Sequence, residues 1–200
     1  MGIVDLSTAT DVTGTSAELR GYLAEPPGGG KVPGVVVLHE AFGLNEVVQR
    51  QADRLAAAGY LALAPDLFSD GGARRCLVAT IRSMQAGQGR AFADIEACRR
   101  WLAAQSRCTG RVGVIGFCMG GAFALLVAGR GFDASSVNYG VLPRRLDPVV
   151  REACPVVASY GARDRSLRGA AAKLEAALER AAVPHDVKEY PAAGHSFLND

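Results

Sequence analysis

The six residues Gly116-Phe117-Cys118-Met119-Gly120-Gly121 constrain the fold of this chain more than any other stretch. They follow a short unbroken apolar run at 112–115 and lead into a stretch at 119–129 rich in Ala, Leu and Val. That pattern calls for a buried strand and a deeply buried helix joined by one tight turn. Such a turn strains the residue at its apex and closes only if the residues two positions to either side are small, as Gly116 and Gly120 are. The turn also sets the Cys118 sulfur at a helix amino terminus, where unpaired N–H groups and the helix dipole favour thiolate over thiol. The plainer reading is a glycine-rich turn that carries an inert core cysteine.

Around this turn, strand-like and helix-like segments alternate at the spacing of βαβ units, which argues for a largely parallel, doubly wound sheet with helices on both faces. Its 200 residues fit one α/β domain, 1–200. The segment at 17–25 reads as an antiparallel edge strand, closed by the Pro- and Gly-rich run 26–30. Strands are expected at 35–39, 60–64, 112–115, 135–139, 156–160 and 187–190, and helices at 47–58, 92–105, 119–129 and 169–182. Residues 66–89, with glycines at 71, 72, 87 and 89, show poor periodicity and read as an irregular excursion covering a site. No internal repeat or low-complexity linker interrupts the pattern.

Composition narrows the function classes. With 49% hydrophobic and 21% charged residues, the chain has no stretch near the roughly 20 apolar residues that a bilayer span needs, so no membrane partner is expected. The first residues carry neither a basic nor an apolar leader segment, and a cytoplasmic location is expected. A net charge of +2 with interspersed signs gives no reason for a nucleic-acid partner, and Arg74, Arg75, Arg82 and Arg90 read first as a solvated face. Cysteines at 76, 98, 108, 118 and 154 are odd in number and form no CxxC pair, which speaks against a metal site or a disulfide framework.

Partners for Cys118 follow it in the order nucleophile, acid, histidine, each just after an expected strand. Asp164 ends the run Tyr160-Gly161-Ala162-Arg163-Asp164, where a carboxylate reaching an imidazole should stand, although a turn or helix-cap role would also suit it. His195, in Ala193-Gly194-His195-Ser196-Phe197, follows the last strand. His39 precedes Cys118 and abuts a strand, and His185 sits in a Pro184-His185-Asp186 turn, so neither replaces it. Glu40 stands at the carboxyl end of an early strand, where open α/β sheets place ligands, with a solvated loop carboxylate as its plainer reading. The same topology points to the backbone N–H groups of Met119 and Ala41 as oxyanion donors.

His39-Glu40-Ala41-Phe42-Gly43-Leu44, Ala64-Pro65-Asp66-Leu67, the Cys118 hexapeptide, Gly161 to Asp164 and Gly194-His195-Ser196-Phe197 occur in order over nearly the whole chain. In these motifs the chain resembles the dienelactone hydrolase family of cysteine α/β-hydrolases. The resemblance implies that Glu40 interacts with the thiol and helps it become thiolate when substrate arrives. It also implies a further helix after the histidine loop, whereas the sequence stops five residues past His195, so a carboxyl-terminal helix is expected to be missing. Where the dienelactone hydrolases carry an arginine four residues after the histidine, this chain has Asn199. The substrate site is therefore expected to involve Asn199, with Arg74, Arg75 or Arg82 as substitute anchors for a carboxylate.

These readings converge on a carboxylic ester hydrolase with Cys118, His195, Asp164 and Glu40 as catalytic residues. It would act on a small-molecule ester or lactone with no metal or organic cofactor, as a monomer or dimer. Two alternatives stand beside it. One is a general carboxylesterase or thioesterase without lactone preference, and the other is a non-catalytic small-molecule sensor built on a hydrolase scaffold.

Overall fold

The computed structural model describes residues 1–8 and 11–199, and the side chains at 73–75 also lie outside the description. Eight strands and six α-helices occur among the described residues, distributed over two units, Met1–Gly113 and Val114–Asp200.

In the first unit, β1 (Gly2–Asp5) pairs antiparallel with β2 (Arg20–Ala24), Gly2 opposite Leu23. β2 in turn pairs antiparallel with β4 (Leu61–Pro65), and β3 (Val32–Leu38) runs parallel to β4, giving the order β1-β2-β4-β3. The expected edge strand is thus covered by one more strand. β1 escaped the sequence pattern because four residues with only Ile3 and Val4 apolar give too short a period to read. All five residues of β4 and the last five of β3 are buried, as unbroken apolar runs in parallel strands should be.

Helix α1 (Glu46–Ala57) begins at Asn45, whose side chain accepts from the N–H groups of Val47 and Val48 at 3.0 and 3.2 Å. Its buried Val48, Ala52 and Ala56 recur every four residues and face β2, β3 and β4. Residues expected to be irregular instead contain α2 (Gly72–Ala86), a 15-residue helix that packs on α3 (Arg90–Ala103). The glycines that suggested a loop lie at its ends: Gly71 and Gly87 cap it at φ 140° and 67°, conformations that glycine adopts without a Cβ clash. Helix α3 also rests on β3 and β4, and a Cβ on Gly34 would lie 2.8 Å from the Leu102 side chain.

β5 (Cys108–Phe117) starts in the first unit and ends in the second, where β6 (Ser135–Asn138), β7 (Val156–Gly161) and β8 (His185–Tyr190) follow it in parallel, in that order. His185, read from sequence as a turn residue, is the first residue of β8. Helix α4 (Met119–Val127) packs on β6, and eight of its nine residues are buried, in line with its nearly all-apolar composition. A short α5 (Asp147–Val150), too brief to show a period, contacts α4 and α6 (Ala170–Arg180), and α6 covers β7 and β8. The result is the mostly parallel α/β architecture, with helices against the strands, that the sequence leads one to expect.

Candidate active site

Cys118 is the single residue between β5 and α4, and it takes φ 52° and ψ −112°. A positive φ is rare for a residue with a side chain, and here the surrounding contacts enforce it. The Cys118 N–H donates to the Asn138 carbonyl at 3.0 Å, and the Cys118 carbonyl accepts from Ala122 at 3.1 Å. A Cβ on Gly116 would lie 1.9 Å from the Gly120 carbonyl oxygen, so the turn closes only without one. Met119 is the first residue of α4, where backbone N–H groups have no partner within the helix.

Three of the other cysteines, Cys76, Cys98 and Cys108, are buried, whereas Cys118 is half-buried. Burial drives the Cys98 thiol far above its ordinary pKa and pushes that of Cys154 up to about 11. Neither is suited to react as thiolate.

Asp164 and His195 meet through a bond of 2.5 Å between Oδ2 and Nδ1. The other carboxylate oxygen of Asp164, Oδ1, accepts from the Ser166 N–H at 3.0 Å and the Ser166 hydroxyl at 2.6 Å, which caps a 3₁₀ turn at Arg165–Leu167. Asp164 therefore fills both roles that the sequence allows it. Burial acts to raise its pKa, and the bonds from Ser166 and His195 outweigh that and hold it below the ordinary carboxylate value. With Nδ1–H committed to the carboxylate, the imidazole presents Nε2 as its basic nitrogen.

The two loops are joined by their backbones. Arg163 N–H donates to the Ala193 carbonyl at 2.9 Å, and Ala162 N–H to the Tyr190 carbonyl at 3.0 Å. A Cβ on Gly161 would sit 2.5 Å from the Gly194 oxygen and 2.6 Å from the Ala193 oxygen, so glycine at 161 lets the histidine loop lie directly on the end of β7.

The sequence pattern does not single out Tyr139. Fully buried at φ 39°, its ring packs edge-on against His195 with centroids 5.2 Å apart, and Phe197 closes on it at 5.6 Å. The Tyr139 hydroxyl donates to Asn199 Oδ1 at 3.2 Å, so the residue expected to touch substrate is tied to the support of the histidine. An aromatic residue next to Gly140 at a strand end was the only available signal.

In the first unit, Glu40 follows β3 and is buried. Its backbone carbonyl accepts from His39 Nδ1 at 2.6 Å, while His39 Nε2 accepts from the Leu67 N–H at 3.1 Å, a pairing that fixes the neutral tautomer. Burial pushes the His39 pKa down. His39 thus supports the Glu40-Ala41 turn by bonding to backbone on both sides. Arg82 is exposed on α2, and the Arg74 and Arg75 side chains lie outside the described residues.

Among the described residues no group of three or more His, Cys, Asp or Glu could hold a metal ion, and no helix is long and apolar enough to cross a membrane. A carboxylate-held imidazole and a cysteine at a helix amino terminus are the parts needed for covalent acyl transfer.

Comparison with known proteins points to a lactone or ester hydrolase. The model of the dienelactone hydrolase family matches residues 19–200. A carboxymethylenebutenolidase of Pseudomonas putida is 30% identical over 192 residues, which cover 88% of this chain and 80% of that protein. A candidate dienelactone hydrolase from Klebsiella pneumoniae subsp. pneumoniae superposes with a TM-score of 0.82 at 27% identity, covering 100% of this chain and 90% of that one. A dienelactone hydrolase-like promiscuous phosphotriesterase from metagenomic libraries, 31% identical, gives 0.78 and covers 90% of this chain and 78% of that one.

Proposed function

The chain belongs to the dienelactone hydrolase family, and on that premise we propose that it hydrolyses a lactone or ester through a thioester on Cys118. The observation that carries the reading is the Cys118 turn, in which glycine at 116 and a positive φ hold a half-buried cysteine at the start of α4. The Asp164–His195 bond supplies its base.

In the first half-reaction His195 Nε2 takes the thiol proton and Sγ bonds to the acyl carbon. The carbonyl oxygen becomes an oxyanion that the N–H groups of Met119 and Ala41 receive. As the C–O bond to the alcohol breaks, the imidazolium returns its proton to the departing oxygen. The acyl group then remains on sulfur. In the second half-reaction His195 removes a proton from water, the hydroxide adds to the thioester carbon, and the tetrahedral adduct expels the thiolate and leaves a carboxylic acid. Asp164 stays ionised throughout, orients the ring and stabilises the imidazolium. Glu40 promotes the thiolate when substrate arrives. The 200 residues act as one catalytic domain, as a monomer or dimer, in the cytoplasm, where thiols stay reduced.

One observation favours the broader reading of a general carboxylesterase or thioesterase. Asn199 stands where an arginine would anchor a substrate carboxylate, and its amide oxygen is engaged by Tyr139.

The test is rapid mixing with a 4-nitrophenyl ester, followed by acid quench and peptide mass mapping. The expected result is a burst of nitrophenol with one acyl group on Cys118, both lost in Cys118→Ala. A burst that survives this substitution, or an acyl group found elsewhere, would overturn the assignment. Binding without any turnover would leave the sensor reading in its place.

A further inference from the structure

The second unit contains a cavity of about 970 Å³ that none of Cys118, Asp164 and His195 lines. One wall is the segment around α5, carrying Arg144, Arg145, Asp147 and Arg151, and the other is α6, carrying Lys173 and Arg180. Five cations and one carboxylate therefore face the space, a local charge of +4, in a chain whose 22 basic and 20 acidic residues sum to only +2. The positive charge of this wall is a local concentration, not a reflection of overall basicity.

The single carboxylate is already used, since Asp147 Oδ1 accepts from Arg180 at 2.6 Å and so links α5 to α6. Among the described residues Arg144, Arg145, Arg151 and Lys173 have no acidic partner. Like charges brought together repel, so the grouping costs stability unless an anion occupies it. The scaffold keeps the space open. Lys173 and Arg180 lie seven residues apart on one face of α6, and the small side chains of Ala172 and Ala176 line the same wall. On the facing segment Pro143 and Pro148 bracket Arg144 and Arg145, and their fixed φ angles limit the freedom that binding would remove.

We propose that this cavity binds a small polyanion carrying two or more phosphoryl or carboxylate groups. Guanidinium forks match both groups through paired charge-assisted hydrogen bonds, and basic side chains on two facing walls require a ligand charged at both ends. The volume falls in the ordinary range for small-ligand sites, about 300–1,000 Å³. The site is separate from the Cys118 chemistry and does not rest on the hydrolase reading.

Isothermal titration of the whole chain with inorganic pyrophosphate, citrate and acetate, at fixed ionic strength in sodium chloride, tests the proposal. Pyrophosphate and citrate separate a phosphoryl from a carboxylate preference. At least one of them should bind one per chain and at least about tenfold more tightly than acetate, about 1.4 kcal/mol. Arg145→Glu and the double variant Arg144→Ala/Arg145→Ala should weaken that binding by about tenfold or more. Lys173→Gln, an exposed change on the opposite wall, should also weaken it. Cys118→Ala should leave it intact. The proposal is overturned if neither polyanion binds better than acetate, or if the charge variants keep the parent melting point and bind as tightly. It also fails if alkylation of Cys118 abolishes binding, which would place the anion at the catalytic thiol.

Discussion

Replacing Gly161 by alanine should damage catalysis more than it damages the fold. The new Cβ would meet the Gly194 oxygen at 2.5 Å, the Ala193 oxygen at 2.6 Å and the Ala193 carbonyl carbon at 2.8 Å, all backbone atoms that no side-chain rotation can clear. Ordinary contact begins at 3.4 Å, so the histidine loop must retreat by about 0.9 Å. That retreat strains the 2.9 Å bond from Arg163 N–H to the Ala193 carbonyl and misplaces the imidazole two residues on. A displacement near 1 Å in a reacting group costs on the order of 100-fold in rate, about 2.7 kcal/mol. Overpacking costs about 1–3 kcal/mol of stability, which a chain of this size should survive. The assay is kcat/KM for a chromogenic ester beside the thermal midpoint, with Gly194→Ala as control, because a Cβ at 194 meets nothing within 4 Å. If Gly161→Ala keeps kcat/KM within about twofold, or Gly194→Ala loses as much, then the tight stacking of these loops does not position His195.

Limiting iodoacetamide should modify Cys118 before any other cysteine, since Cys76, Cys98 and Cys108 are buried and the Cys154 thiol is pushed up to about 11. Peptide mapping that finds full inactivation with Cys118 intact would contradict this. Glu40→Gln should slow acylation by about tenfold or more, 1.4 kcal/mol, in stopped-flow assays, and a change within about twofold would leave Glu40 without a role in activation. Burial depresses the folded pKa of His39 below its ordinary 6.5, so the unfolded chain binds the proton first. Its contribution is complete above 6.5 and lost as pH falls below it. Asp94, which accepts from the Ser16 N–H and hydroxyl at 2.7 Å each, works in the opposite sense. Desolvation raises its pKa to about 6, so its contribution declines as pH rises from 3.8 towards 6. Urea midpoints between pH 4 and 7.5 should therefore lose their low-pH decline in His39→Gln and show a steeper rise with pH in Asp94→Asn; unchanged profiles would count against both.

Much of the architecture was readable because its core strands are unbroken apolar runs and because Gly116 and Gly120 bracket a cysteine between a strand and a helix. The pairing of Asp164 with His195 was readable from order along the chain alone. Other features depend on geometry that residue types do not carry. The glycines at 71 and 87 look the same whether they interrupt a helix or cap it. Tyr139 supports His195 only because β6 ends in a positive φ that turns its ring towards the histidine loop. The basic wall was hidden for a different reason: Arg144 and Arg145 are a short pair in a loop, and only the approach of α6 adds Lys173 and Arg180 to them. Of the arginines that cluster in the sequence at 74, 75, 82 and 90, Arg90 is paired with Asp70 at 3.1 Å.

The split use of Asp164, one oxygen for Ser166 and the other for His195, makes ring orientation and the ordering of the Arg165–Leu167 turn a single event. On the proposed mechanism, an opening that frees the Ser166 amide should loosen the carboxylate and with it the orientation of the imidazole. If so, deuterium uptake at that one amide should track catalytic competence without substrate. Heat or denaturant should switch the enzyme off at the concentration or temperature where this amide begins to exchange, ahead of the global transition.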